Sequence, residues 1–226
     1  DQKNGIRLPI ADGVLESSEE ILYANEEDIS HAAQNGVGNI MIDRLALSQE
    51  RIEAMANGVR KVAAMNDPIG EILMGKTLPN GLMLSKVRVP MGIVGIIYES
   101  RPNVTVDAAV LCLKASNAVL LRGGKEAIHT NIALTRIMQR VIERAGLNPD
   151  IVSLVEDTSR ESASEMMRLN GTLDVLIPRG GKGLIQSVVE QATVPVIETG
   201  SGNCHVYVDQ TADLEMAANI VYNAKT

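Results

Sequence analysis

From Lys86 onward, short apolar runs rich in β-branched residues alternate with longer stretches of helical periodicity, and no other feature of the chain constrains its fold as much. Segments 87–98, 118–121, 151–155, 175–177, 194–197 and 205–208 are predicted as strands, and 107–115, 126–145, 159–170, 182–191 and 212–224 as helices. Strands this apolar need cover on both faces. The alternation therefore predicts an α/β fold, a Rossmann-like parallel sheet with helices on both faces, of the doubly wound nucleotide-binding type. Ahead of it, residues 1–67 place apolar side chains at mixed spacings of three and four and are predicted as helices. Ser48 suits the cap of one that is periodic from Arg51, and Pro9 should interrupt the first helix unless it lies near its start. Segment 66–80, with Pro68, Gly70, Gly75 and Pro79, reads as a link. The expected organisation is a helical N-terminal arm, 1–80, followed by a nucleotide-binding α/β domain, 81–226.

Composition excludes several function classes. The net charge of −7 lacks the basic footprint of a nucleic-acid or anionic-membrane binder. Four Tyr with no Trp or Phe leave few platforms for stacking bases. No run approaches 18 apolar residues, and two cysteines in 226 residues do not make a disulfide framework, so a reduced, cytoplasmic compartment is expected.

Several motifs invite chemistry. Gly70-Glu71-Ile72-Leu73-Met74-Gly75-Lys76-Thr77 matches the phosphate-binding P-loop, but that loop must follow a buried strand and open a helix. Here a helical stretch precedes it and Pro79-Asn80-Gly81 turns the chain just after, so the match is rejected. Two Gly pairs lie where α/β topology places ligands, each with Arg before and Lys after: Arg122-Gly123-Gly124-Lys125 and Arg179-Gly180-Gly181-Lys182. Both follow a strand and begin a helix, so backbone amides, a helix dipole and cations converge where a phosphate-bearing cofactor fits; a plain tight turn is the alternative. Neither is the G-x-G-x-x-G fingerprint. In Tyr98-Glu99-Ser100-Arg101-Pro102-Asn103, Pro102 fixes a turn, and Asn103 suits either an oxyanion donor or a helix cap. Glu198 reads as a base or a loop-structuring carboxylate at a strand end. Cys204 and His205, adjacent in an expected strand, would point to opposite faces and not pair. His31, His129 and His205 share no ligand spacing, so no metal site is expected.

Segments 87–105, 113–124, 174–181 and 202–209 together resemble the gamma-glutamyl phosphate reductases of the aldehyde dehydrogenase superfamily. The resemblance implies NADPH-dependent reduction of L-glutamyl 5-phosphate to L-glutamate 5-semialdehyde and phosphate, a step of proline biosynthesis. It implies a Cys thioester, a phosphate that leaves without metal help, and a homo-oligomer, at least a dimer. Asn103 falls where an Asn amide holds the oxyanion. Arg122, Gly123, Gly124 and Glu126 fall in the cofactor's adenosine-ribose and phosphate segment, and Gly180 and Gly181 in the turn against the pyrophosphate. Arg122 and Lys125 would favour a 2′-phosphate. Glu198 matches a base of hydrolytic relatives. The nucleophile's motif would directly follow 223–226, so Cys204 does not inherit the role; a catalytic Cys domain is expected after 226, and this chain alone is expected to be inactive. Two other readings stand beside this one: a non-catalytic nucleotide-binding module, and another member of the superfamily.

Overall fold

The computed structural model describes residues 2–200 and 204–225. Its centre is a four-stranded sheet in the order β5-β4-β3-β6, formed by β3 (Ile93–Tyr98), β4 (Ala118–Arg122), β5 (Val152–Leu154) and β6 (Val175–Arg179). All three pairings are parallel. Because strand side chains alternate between faces, the sheet sorts its own residues into two cores. Val94, Ile96 and Tyr98 of β3, Val119 and Leu121 of β4 and Val175 of β6 face one core, which also holds side chains of α1 (Gln2–Glu16), α4 (Gln49–Ala64), α5 (Asn103–Lys114) and α6 (Ile128–Arg144). Ile97 and Leu176 face the other, under α7 (Arg160–Met166) and α8 (Lys182–Gln191). Helices thus cover both faces, as the alternation predicts.

A buried polar network ties α2 (Ser18–Gln34) to the start of α6. Asp28 is 2% exposed. Its Oδ1 accepts from the His129 amide and ring Nδ1, and its Oδ2 from the Thr130 amide and hydroxyl, at 2.6–3.1 Å. A carboxylate supplied by a distant helix therefore satisfies first-turn amides that no local cap serves. Asn25 extends the network, accepting from the Leu47 amide and donating to the Leu45 carbonyl and Thr130 Oγ1, beside α3 (Asn39–Leu45).

The structure departs from the sequence-based elements in specific places. Residues 87–98 are not one strand. Val87 ends β2 (Met83–Val87), which pairs antiparallel with β1 (Ile72–Thr77), whereas β3 starts at Ile93. Pro90 has no amide to donate, and Gly92 at φ +121 takes a conformation that ends any continuous strand. The expected link at 66–80 thus contains a strand, and the P-loop look-alike lies in this exposed hairpin, not at a strand-to-helix turn. Pro9 lies inside α1; burial of Ile6, Ile10, Ala11 and Val14 holds that helix together despite the missing amide. Helix α7 ends at Met166, four residues short of expectation, ahead of Gly171 at φ +79. Segment 194–197 keeps one bridge, Leu176 to Val196, and 205–208 forms no strand, so the strand argument separating Cys204 from His205 has no basis. Helix α9 (Leu214–Lys225) closes the described chain, and no described helix is long and apolar enough to cross a membrane.

Candidate functional site

Chain order runs β3, β4, β5 to one side of β3, then returns to place β6 on its other side. The carboxyl ends of β3 and β6 therefore flank a topological switch point, where an α/β sheet leaves a crevice. A cavity of about 680 Å³ opens there. Its walls come from the loop after β3 (Glu99, Arg101), from α5 (Asn103, Asp107, Leu111, Cys112), from the turn after β6 (Arg179, Gly180, Gly181) and from Arg44 of α3. None of the three arginines has an ion pair among the described residues.

Asn103 is the first residue of α5, after Pro102, whose fixed φ suits a helix start. It does not cap the helix; its Nδ2 donates to Asp107 Oδ2 at 3.0 Å, one turn along. Surrounding protein desolvates the Asp107 carboxyl and raises its pKa, an effect the Asn103 hydrogen bond opposes. Gly180 has Glu99 against it: a Cβ there would lie 2.6 Å from the Glu99 carboxyl carbon. Gly181 precedes α8, whose first-turn amides receive no side-chain cap. Cys112 lines the same cavity, but burial pushes its thiol up to about 11, leaving it protonated near neutral pH.

The other predicted residues lie outside this cavity, at the end of β4. Arg122 Nη2 donates to the Thr158 and Ser159 carbonyls, each at 2.8 Å. Partial burial lowers its pKa, and the charges of Asp157 and Glu126 raise it. Gly123 lies against Asn131 Nδ2 and the Tyr98 ring, and Gly124 against Ser100 and Glu126. Ser100 Oγ donates to Glu126 Oε2 at 2.9 Å, and Thr105 Oγ1 joins Tyr98 Oη to Asn131 Oδ1 at 2.7 and 2.8 Å. Burial raises the Tyr98 pKa, against the Thr105 hydrogen bond. Asn131 Nδ2 is buried without a partner among the described residues and faces Gly123. Glu198 and Cys204 are exposed, and Gly202 and Asn203 lie outside the described residues.

Sequence reasoning missed Arg44, Asp107 and Cys112 as cavity residues. Asp107 had a usable signal, four residues after Asn103 and so on the same helix face. Arg44 had none, because α3 reaches the site only through tertiary packing. The histidines are also closer than their sequence spacing suggests: the rings of His31 and His129 meet edge to face at 5.3 Å.

The profile of the Aldehyde dehydrogenase family matches residues 12–226. The chain is 56% identical over 225 residues to the gamma-glutamyl phosphate reductase of Carboxydothermus hydrogenoformans, and 52% identical over 226 residues to that of Thermobifida fusca. Each alignment covers 100% of this chain and 54% of the relative, so the chain spans about half the length of the curated relatives it matches. The crystal structure of gamma-glutamyl phosphate reductase from Thermotoga maritima superposes with a TM-score of 0.89 at 44% identity, over 100% of this chain and 54% of that one. That from Saccharomyces cerevisiae gives 0.81 at 30% identity, over 99% and 57%. With a family match over nearly its whole length, a two-faced parallel sheet and a switch-point cavity, the chain belongs to the aldehyde dehydrogenase family.

Proposed function

We propose that this chain is the cofactor-binding part of an NADPH-dependent reductase that converts L-glutamyl 5-phosphate to L-glutamate 5-semialdehyde and phosphate in proline biosynthesis. In this reading the helical arm, 1–80, and the nucleotide-binding portion, 81–226, serve a cysteine nucleophile supplied from outside these residues. The observation that carries it is the switch-point cavity, where Asn103, two glycines, a helix start without a side-chain cap and arginines without an ion pair among the described residues meet.

A nicotinamide cofactor, when bound, supplies hydride. Gly180 and Gly181 let a pyrophosphate approach α8, whose free first-turn amides and dipole favour an anion. Arg101 and Arg179 provide counter-charge for phosphate. The Asn103 amide spends one N–H on Asp107, and its second is available to an oxyanion at the reacting carbonyl. Arg122, Gly123, Gly124 and Glu126 shape the adenosine end of the site. Since the Arg122 guanidinium is held by two carbonyls, Lys125, exposed and without an ion pair among the described residues, is the better partner for a 2′-phosphate. A homo-oligomer, at least a dimer, belongs to the same reading, and the hairpin of β1 and β2, exposed at every strand residue, offers surface for a second chain.

The test is NADP⁺ reduction by the intact protein carrying this chain, with glutamate 5-semialdehyde, in the presence and absence of phosphate. Phosphate-dependent NADPH formation is expected. Turnover without phosphate would instead assign an unrelated aldehyde dehydrogenase, and cofactor binding without turnover a non-catalytic module.

A further inference from the structure

The proposed substrate carries charge at both ends, with a phosphate on the reacting carbon and an ammonium and a carboxylate on its far carbon. Helix α5 presents Asn103, Asp107 and Leu111 to the cavity at intervals of four residues, one stripe along its surface. The two positions are ~6 Å apart along the helix, but their side chains meet, with Asn103 Nδ2 3.0 Å from Asp107 Oδ2. An oxygen accepting the other N–H of that amide, at about 2.9 Å and ~120° away, sits ~5 Å from the carboxylate. In a glutamyl group the reacting carbonyl carbon and the carbon bearing the ammonium are separated by three carbon–carbon bonds, about 4 Å when extended, with the nitrogen one bond further. A glutamyl chain whose carbonyl oxygen is held by Asn103 is therefore long enough for its ammonium to reach Asp107.

The Asp107 carboxylate has capacity for this. Asn103 Nδ2 occupies one position on Oδ2, and an ionised carboxylate accepts about four hydrogen bonds. Gly58 of α4 leaves room on the Oδ1 side, since even an added Cβ there would stay 3.8 Å from Oδ1. Arg44 brings the opposite charge to the same cavity from α3, with no ion pair among the described residues. One acidic and one basic side chain in the cavity, neither in an ion pair among the described residues, complement a zwitterionic head. An uncharged aldehyde would leave both uncompensated.

We infer that Asp107 and Arg44 are the specificity residues of this site, Asp107 holding the α-ammonium and Arg44 the α-carboxylate of an amino-acid substrate. The inference rests on the proposed function and assigns its substrate recognition.

Three aldehydes separate the two contacts: glutamate 5-semialdehyde, glutarate semialdehyde, which lacks the ammonium, and 4-aminobutanal, which lacks the carboxylate. Phosphate-dependent NADP⁺ reduction by the intact enzyme is measured for wild type, Asp107→Asn and Arg44→Gln. Loss of one charge contact is worth roughly tenfold. Asp107→Asn should raise KM ~10-fold for the two aminated aldehydes and at least about fivefold less for glutarate semialdehyde. Arg44→Gln should raise it ~10-fold for the two carboxylated aldehydes and at least about fivefold less for 4-aminobutanal. Asp107→Glu, which keeps the charge, should recover part of the aminated substrates' affinity. Equal losses on all three aldehydes, with wild-type melting temperatures, would overturn the assignment and leave the reductase function standing. A wild type with no phosphate-dependent turnover of glutamate 5-semialdehyde would overturn the function itself and this inference with it.

Discussion

Arg122-Gly123-Gly124-Lys125 and Arg179-Gly180-Gly181-Lys182 are the same four residue types, each at the end of a strand that pairs with β3, yet they do different work. The first is closed on the protein: its Arg gives Nη2 to two carbonyls, with Nε buried and unpartnered among the described residues, and its glycines lie against Tyr98, Asn131, Ser100 and Glu126. The second opens onto the switch-point cavity, with Arg179 unpaired among the described residues and the exposed side chain of Glu99 as the glycines' neighbour. Register explains the difference. Arg122 pairs with Ile97, whereas Arg179 pairs with Tyr98, and these adjacent β3 residues face opposite cores. A one-residue offset sends Arg122 toward the loop ahead of α7 and Arg179 toward α5 and the cavity. The same tetrapeptide can thus be scaffold or site, according to strand parity.

Substitutions at matched positions of the two turns can break this comparison. The largest effect is expected at Gly123, where a Cβ would fall on Asn131 Nδ2 and come within 3.1 Å of the Tyr98 ring. Both neighbours are fully buried and hydrogen-bonded through Thr105, so neither yields without disturbing that chain. Gly123→Ala should cost about 3 kcal/mol, seen as a lower urea midpoint with unchanged m-value. A stable Gly123→Ala protein would show that this turn is as open as the other. Next comes Arg122→Ala, which removes two charge-assisted hydrogen bonds at a half-buried site and should cost about 2 kcal/mol by the same measurement.

Much of the architecture was legible in advance, because strand and helix periods differ and both cores are apolar. The helix expected at 182–191 is α8 residue for residue. The hairpin of β1 and β2 was not legible: with every strand residue exposed, no alternation separates an inner face from an outer one. The Gly-rich turns could be located, but the contrast between them could not. It depends on which β3 residue each Arg opposes, a register that parallel neighbours acquire only through long-range pairing. Asp28 illustrates the same limit. Nothing in its sequence position marks it, yet its surroundings make it the acceptor for first-turn amides of α6.

The smaller effects sharpen the comparison, since at the open turn stability and binding should come apart. Gly180→Ala places a Cβ against Glu99, but Glu99 is exposed and its carboxyl can swing away, so a stability loss under about 1 kcal/mol is expected. Cofactor affinity should fall more than stability does, because the added methyl stands in the cavity beside α8. Arg179→Ala removes a side chain without a hydrogen bond or ion pair among the described residues, and should leave the urea midpoint within about 0.5 kcal/mol of wild type. Its effect should appear instead in NADP⁺ or phosphate binding by titration calorimetry, as a loss of roughly tenfold that shrinks with added salt. Were Arg179→Ala as destabilising as Arg122→Ala, both arginines would be scaffold and strand parity would not decide between the two turns.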